Sequence, residues 1–271
     1  PSNTVLREIP ISLPRRRPDI WAVKPLALLY SGFREVLLMD ADNLPAVSPE
    51  QLFDAPQYLQ SGALFWPDFG PFQEKTPEQW LVLSGGLWKE RPSSIRWEQE
   101  SGQLLVDKSK CGPMLQRAAT MAMHLRELSP YLPGDGGDKD LFQLAWALEG
   151  QSATWCPMPA AAGCLTPQRA NTVHGPFVGH AMVHHSYEGV PCFLHRTIDK
   201  HEDPWQLRCD VVAKPRKETS QCLTLQRICP DAKVKARIVP ERAEHVEVID
   251  FDHYFGSNLS ERFARCVADL R

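Results

Sequence analysis

At 271 residues the chain is long enough for one large or two small domains with a sizeable buried core. Hydrophobic residues at 43% and charged residues at 23% are ordinary for a globular protein. A formal net charge of -3 is close to neutral, so nothing argues for a nucleic-acid or membrane-surface partner, and no apolar run reaches the length of a membrane span.

Pro1 in place of Met suits a fragment or a processed product. The Arg15, Arg16 and Arg17 cluster is bracketed by Pro14 and Pro18, so it reads as a solvated loop. From Trp21 the pattern becomes regular. Lys24-Pro25 opens a helix, with proline where a missing N–H costs nothing, and Ser31-Gly32 closes it. Val36-Leu37-Leu38-Met39 is a short apolar run without polar alternation, as in a strand buried on both faces of a parallel sheet.

Ser48-Pro49-Glu50-Gln51 and Thr76-Pro77-Glu78-Gln79 both have the form of a helix capping box. Between them Ala63 to Trp66 predicts a strand, and Gln103 to Val106 predicts another. A long helix follows Pro113, with Met114, Leu115, Ala118, Met121, Ala122 and Leu125 on one face. Asp138 to Leu148 predicts the next helix. Later strand candidates are Ala181 to Val183, Cys192 to Leu194 and Gln206 to Val212, and Leu259 to Leu270 has the spacing of a terminal helix. Early helices alternating with buried strands indicate an α/β fold with a partly parallel sheet.

None of the eight cysteines forms a C-x-x-C pair, so a structural zinc site is not expected. Disulfides and buried free thiols both remain open. Asn258-Leu259-Ser260 is a glycosylation sequon, which with the cysteines leans toward a luminal home.

The strongest chemical signal is Asp40-Ala41-Asp42-Asn43, directly after the apolar run. A buried strand there delivers two carboxylates at its carboxyl end, where open α/β sheets bind ligands. Two acids one residue apart on a turn can share a hard divalent cation such as Mn²⁺ or Mg²⁺, which neutralises a diphosphate. An alternative is a haloacid-dehalogenase-like phosphatase, with Asp40 as nucleophile and Gly134 to Asp138 as its late acidic motif. Leu44 and the loop at Ser129 to Pro133 speak against it.

Several segments in order resemble the fungal α-1,3-mannosyltransferase family, which extends glycoprotein mannans. They are Lys24 to Phe33, Asp40 to Asn43, Ser48 to Phe53, Ser61 to Asp68, Glu100 to Lys108, Gly137 to Phe142, Met182 to His185, and Phe193 to Arg196 with Lys200. The resemblance implies one retaining catalytic domain over residues 1–271 with a GT-A fold. Its sheet is expected to be mixed and largely parallel, flanked by helices. Only 39 residues precede Asp40, so a truncated N-terminal part is expected. The resemblance further implies Mn²⁺ (or Mg²⁺) as cofactor and GDP-mannose as donor, with a glycan acceptor. It also implies residence in the Golgi lumen as part of a type II membrane protein. A catalytically inactive sugar-binding relative is a further alternative.

Site roles follow from the resemblance. Asp40, Asp42 and His195 are expected to hold the metal. Lys24, Asn43, Ser101, Gly102, Lys139 and Lys200 are expected to bind the donor. Glu100, in a loop just before a strand, and Asp138, at a helix start, are expected near the anomeric carbon. Other readings stay open: a salt bridge for Glu100, a helix cap for Asp138, and packing beside Pro25 for Lys24. His184 replaces a glutamine of the family pattern. Since neighbours on a strand face opposite ways, His184 and His185 are not expected to share one ion.

Overall fold

The computed structural model describes residues 23–132 except 73 and 96, residues 138–163 except 158 and 159, residues 166, 167, 177 and 178, residues 181–196, four later strands and His253. Lys200, the terminal-helix segment and the glycosylation sequon lie outside the described residues. The ordered elements begin with helix α1 (Val23–Tyr30), which buries Pro25, Leu26 and Leu28. Strands β1 (Glu35–Met39) and β2 (Asn43–Pro45) follow, separated only by the Asp40 to Asp42 turn.

A 3-10 helix (Pro49–Asp54) and helix α2 (Pro56–Ser61) lead into β3 (Ala63–Pro71). Ser48 makes no side-chain cap there, so the first capping box is not formed. Thr76 forms the second reciprocally with Gln79 and starts helix α3 (Pro77–Leu83). Next comes β4 (Trp97–Asp107), a strand of 11 residues whose last nine are buried. Asp107 then caps helix α4 (Lys108–Met123), accepting from the backbone N–H of Ser109 at 2.9 Å. The helix therefore starts well before Pro113 and carries that proline inside it. Short helix α5 (Leu125–Leu128) and helix α6 (Leu141–Leu148) complete the helical layer.

Two sheets carry the strands. The first has four strands in the order β1-β4-β3-β5, where β5 is Thr154–Trp155. The second has six. It contains β2, β6 (Ala161–Gly163), β9 (Ala181–His185), β10 (Pro191–Arg196), β11 (Val211–Pro215) and β14 (Val246–Asp250). Its order is β14-β11-β6-β9-β10-β2. Two further hairpins pair β7 (Thr166–Pro167) with β8 (Phe177–Val178) and β12 (Leu223–Ile228) with β13 (Lys235–Pro240).

The fold is mixed α/β, but the expectation of a largely parallel sheet is overturned. Only β3 and β5 pair in parallel among the described strands; the other pairings are antiparallel. The reason lies in β1. Val36 and Leu38 pack on the core beneath the helices, while Leu37 and Met39 pack on a second core shared with Tyr58, Trp66 and Phe193. An unalternating apolar run reports two covered faces, and those do not fix strand direction. β3 alternates likewise, with Ala63 and Phe65 toward one core and Leu64 and Trp66 toward the other.

Trp66 also ties the sheets together. Its indole N–H donates to the His185 carbonyl at 2.8 Å, and its ring meets Phe193 edge-on. The described cysteines Cys111, Cys156 and Cys192 are buried free thiols.

Candidate metal centre

The chain leaves the first sheet at Met39 and enters the second at Asn43, so the Asp40 to Asp42 turn sits where the two sheets meet. The Asn43 N–H donates to the Asp40 carbonyl at 3.0 Å, which tightens the turn. The Gly102 carbonyl anchors it on the β4 side, accepting from the Asp40 N–H at 2.8 Å and the Asn43 amide at 2.9 Å. Asn43 also donates to Gln103 at 2.5 Å. It is buried, and its amide donor atom serves the architecture of the turn.

His195 arrives on β10 directly opposite Asn43 of β2. Its Nε2 lies 3.3 Å from an Asp42 carboxylate oxygen and 3.9 Å from one of Asp40. Asp40, Asp42 and His195 each offer one ligand atom, and these all lie within 4.8 Å of one another. The two carboxylates are part-exposed, whereas the imidazole is buried and neither ring nitrogen has a hydrogen-bond partner. Two oxygens open to solvent and one sheltered nitrogen without a partner fit a divalent cation that keeps positions free for ligand oxygens. Burial disfavours the protonated ring, but Asp42 and Glu100 beside it outweigh this and push its pKa up to about 9.

Two lysines sit beside the centre. Lys24 Nζ donates to Asp40 at 2.9 Å and to the carbonyl and hydroxyl of Ser101 at 3.1 and 3.2 Å. It lies 3.4 Å from Asp138. Burial works against its charge, but Asp138 and Asp40 hold its pKa above the ordinary value. Asp138 is itself buried, and burial raises its pKa in spite of Lys24. Lys139 donates to Asp68 and sits 4.0 Å from Glu100.

Glu100, Ser101 and Gly102 lie within β4, not in a loop before it. Their polar run reads as a loop, yet all three are buried because β4 lines the centre. Burial pushes the Glu100 carboxyl up, but Lys139 and His195 outweigh it and hold the pKa well below the usual value. Asp138 and Lys139 likewise precede α6 in a turn, with the Leu141 N–H donating to the Asp138 carbonyl. Among the described residues ahead of it, Ser129–Tyr131 is a 3-10 turn, not the strand that a phosphatase's late acidic motif needs.

The centre thus gathers Asp40, Asp42, His195, Lys24, Glu100, Ser101, Gly102, Asp138 and Lys139, with Asn43 behind the turn. Lys200 falls outside the described residues. Sequence reasoning gave no role to Asp68, the counter-ion of Lys139, although it ends an apolar strand run much as Asp40 does. His184 also faces the centre. On β9, Met182 stands opposite His195, and two steps along a strand return to the same face. His184 therefore turns toward His195.

Residues 7–94 match the family model described as "Mannosyltransferase putative". Over part of its length the chain is similar to fungal α-mannosyltransferases. It is 29% identical over 146 residues to the Candida albicans protein described as "Putative alpha-1,3-mannosyltransferase MNN13", covering 47% of this chain and 19% of that protein. Against the Candida albicans α-1,2-mannosyltransferase MNN21 it is 50% identical over 46 residues, 17% of this chain and 7% of that protein. Against the Saccharomyces cerevisiae α-1,2-mannosyltransferase MNN2 it is 44% identical over 46 residues, 17% of this chain and 8% of that protein. The match to these mannosyltransferases spans a fifth or less of their length. The family-model match takes in Lys24, Asp40, Asp42, Asn43 and Asp68; Glu100, Asp138 and His195 lie beyond it.

Proposed function

We propose that the chain is the catalytic part of a metal-dependent, retaining glycosyltransferase. It moves mannose from GDP-mannose to a hydroxyl of a glycan acceptor during protein glycosylation. The observation that carries this reading is the convergence of Asp40, Asp42 and His195 from two sheets, with Lys24 and Lys139 alongside. The relatives' descriptions as mannosyltransferases support the sugar.

A Mn²⁺ or Mg²⁺ ion held by Asp40, Asp42 and His195 would neutralise the diphosphate of the donor. Lys24, already shared between Asp40 and Asp138, adds a positive charge beside the departing group. Ser101 lines the floor on which the donor sugar rests, and Asp138 accepts from its hydroxyls. The acceptor hydroxyl attacks from the face that the diphosphate leaves, which retains the anomeric configuration. A GT-A arrangement and a Golgi-lumenal setting within a longer membrane protein complete the reading. Among the described residues no helix is long and apolar enough to cross a membrane.

Release of mannose from GDP-mannose, and its transfer to a mannoside, test the reading directly. The wild type is expected to turn over with Mn²⁺, and Asp42→Ala and His195→Ala to lose at least about a hundredfold. Wild-type rates in both variants would reject it. A panel of GDP- and UDP-sugars identifies the donor in the same assay.

A further inference from the structure

Behind the outer carboxylates lies a second set of ligand atoms. Glu100, His184 and His195 each place one within 4.8 Å of the others, and all three residues are buried. Glu100 and His184 are each 1% exposed. One Glu100 oxygen accepts from the Gly102 N–H at 2.6 Å; the other has no hydrogen-bond partner. Both nitrogens of His184 and Nδ1 of His195 also lack one. Only Nδ1 of His195 and the second Glu100 oxygen face each other, at 3.6 Å, so four buried polar atoms without a hydrogen bond are costly unless something joins them.

We propose that Glu100, His184 and Nδ1 of His195 form a second, buried site for a borderline cation of the Zn²⁺ type. Two imidazoles and one carboxylate are a set that Zn²⁺ favours, whereas the outer pair of carboxylates suits Mn²⁺ or Mg²⁺. Glu100 is the only acid in the inner set. Lys139 lies 4.0 Å from it, and Asp68 already compensates that ammonium.

The sites share one imidazole, and a neutral imidazole has a single lone pair. When Nε2 serves the outer site, Nδ1 carries the proton and faces Glu100 at 3.6 Å. When Nδ1 serves the inner site, that proton moves to Nε2, which faces Asp42 at 3.3 Å. The two cations therefore exclude one another, and zinc in the inner site withdraws His195 from the outer one. The competition rests on the proposed outer site; the inner site does not.

The test is a Zn²⁺ titration of the folded chain, repeated with Co²⁺ as a coloured probe, on three variants. Zinc binding is expected to survive Asp40→Asn combined with Asp42→Asn. It is expected to weaken by about a hundredfold in His184→Gln and again in Glu100→Gln. His184→Gln keeps a polar side chain of similar size, and a thermal melt verifies that it folds. Zinc is further expected to weaken Mn²⁺ binding in the wild type and to leave it unchanged in His184→Gln. Absence of zinc binding in the wild type, or unchanged zinc affinity in His184→Gln, overturns the inner site. Zinc lost in the double aspartate variant would place it on the outer carboxylates and also overturn it. A wild type that takes zinc through His184 but never Mn²⁺ would instead sink the outer reading alone.

Discussion

Gly102 and His195 claim the same volume. A Cβ built on Gly102 would lie 2.4 Å from Cε1 and 2.5 Å from Nδ1 of the imidazole. Glycine at this place in β4 gives the histidine its room.

Gly102→Ala is therefore expected to push His195 off the carboxylates. Overpacking of this kind costs about 1–3 kcal/mol, which lowers the melting temperature by several degrees. Mn²⁺ affinity is expected to fall by roughly tenfold or more. A loss of stability with unchanged Mn²⁺ affinity would mean that His195 does not touch the metal.

Lys24→Met separates two roles of one cation. The change removes a charge that competes with a metal for Asp40, so Mn²⁺ alone is expected to bind no worse. GDP in the presence of Mn²⁺ is expected to bind about tenfold more weakly, the size of one charge-assisted contact. Titrating metal and nucleotide separately checks both, and unchanged GDP affinity would remove Lys24 from the donor site.

Asp140 supplies a pH dependence away from the metal ligands. It is buried, accepts from the Gln99 N–H at 3.0 Å and from the Gln143 amide, and burial pushes its pKa up to about 7 from an ordinary 3.8. The folded chain keeps a proton there that the unfolded chain has released. Stability from this group is thus full below pH 3.8 and falls as pH rises toward 7, by at most about 1.4 kcal/mol per unit. Asp140→Asn is expected to flatten that slope in urea denaturation between pH 5 and roughly pH 7.5. An identical slope in the two proteins would refute the assignment.

Cys111, Cys156 and Cys192 are expected to resist alkylation in the folded state. Burial raises the pKa of each thiol, most strongly for Cys156 and Cys192, so little thiolate forms and reagents cannot reach it. Mass spectrometry after iodoacetamide treatment, with and without urea, checks this. Labelling of any of the three without denaturant would contradict their burial.

The turn at Asp40 to Asp42 was legible because apolar run and acid pair follow one another without a break. The Thr76 capping box was legible for a similar local reason, and Ser48 shows its limit: the same pattern there leads into a 3-10 helix without a side-chain cap. Strand direction was hidden, since Val36 to Met39 face two cores in an antiparallel sheet as they would in a parallel one. Glu100 to Gly102 were hidden because polar residues inside a strand look like a loop until the centre they line is seen. His184 needed the β9–β10 register, which no local spacing reveals.

In the proposed function, a divalent ion shared by Asp40, Asp42 and His195 in front of a nucleoside diphosphate couples nucleotide binding to metal. Calorimetric titration of GDP with and without Mn²⁺ tests it most directly. GDP is expected to bind at least about tenfold tighter with Mn²⁺ in the wild type, with no such coupling in Asp42→Ala or His195→Ala. Equal GDP affinity with and without Mn²⁺ in the folded wild type would contradict it.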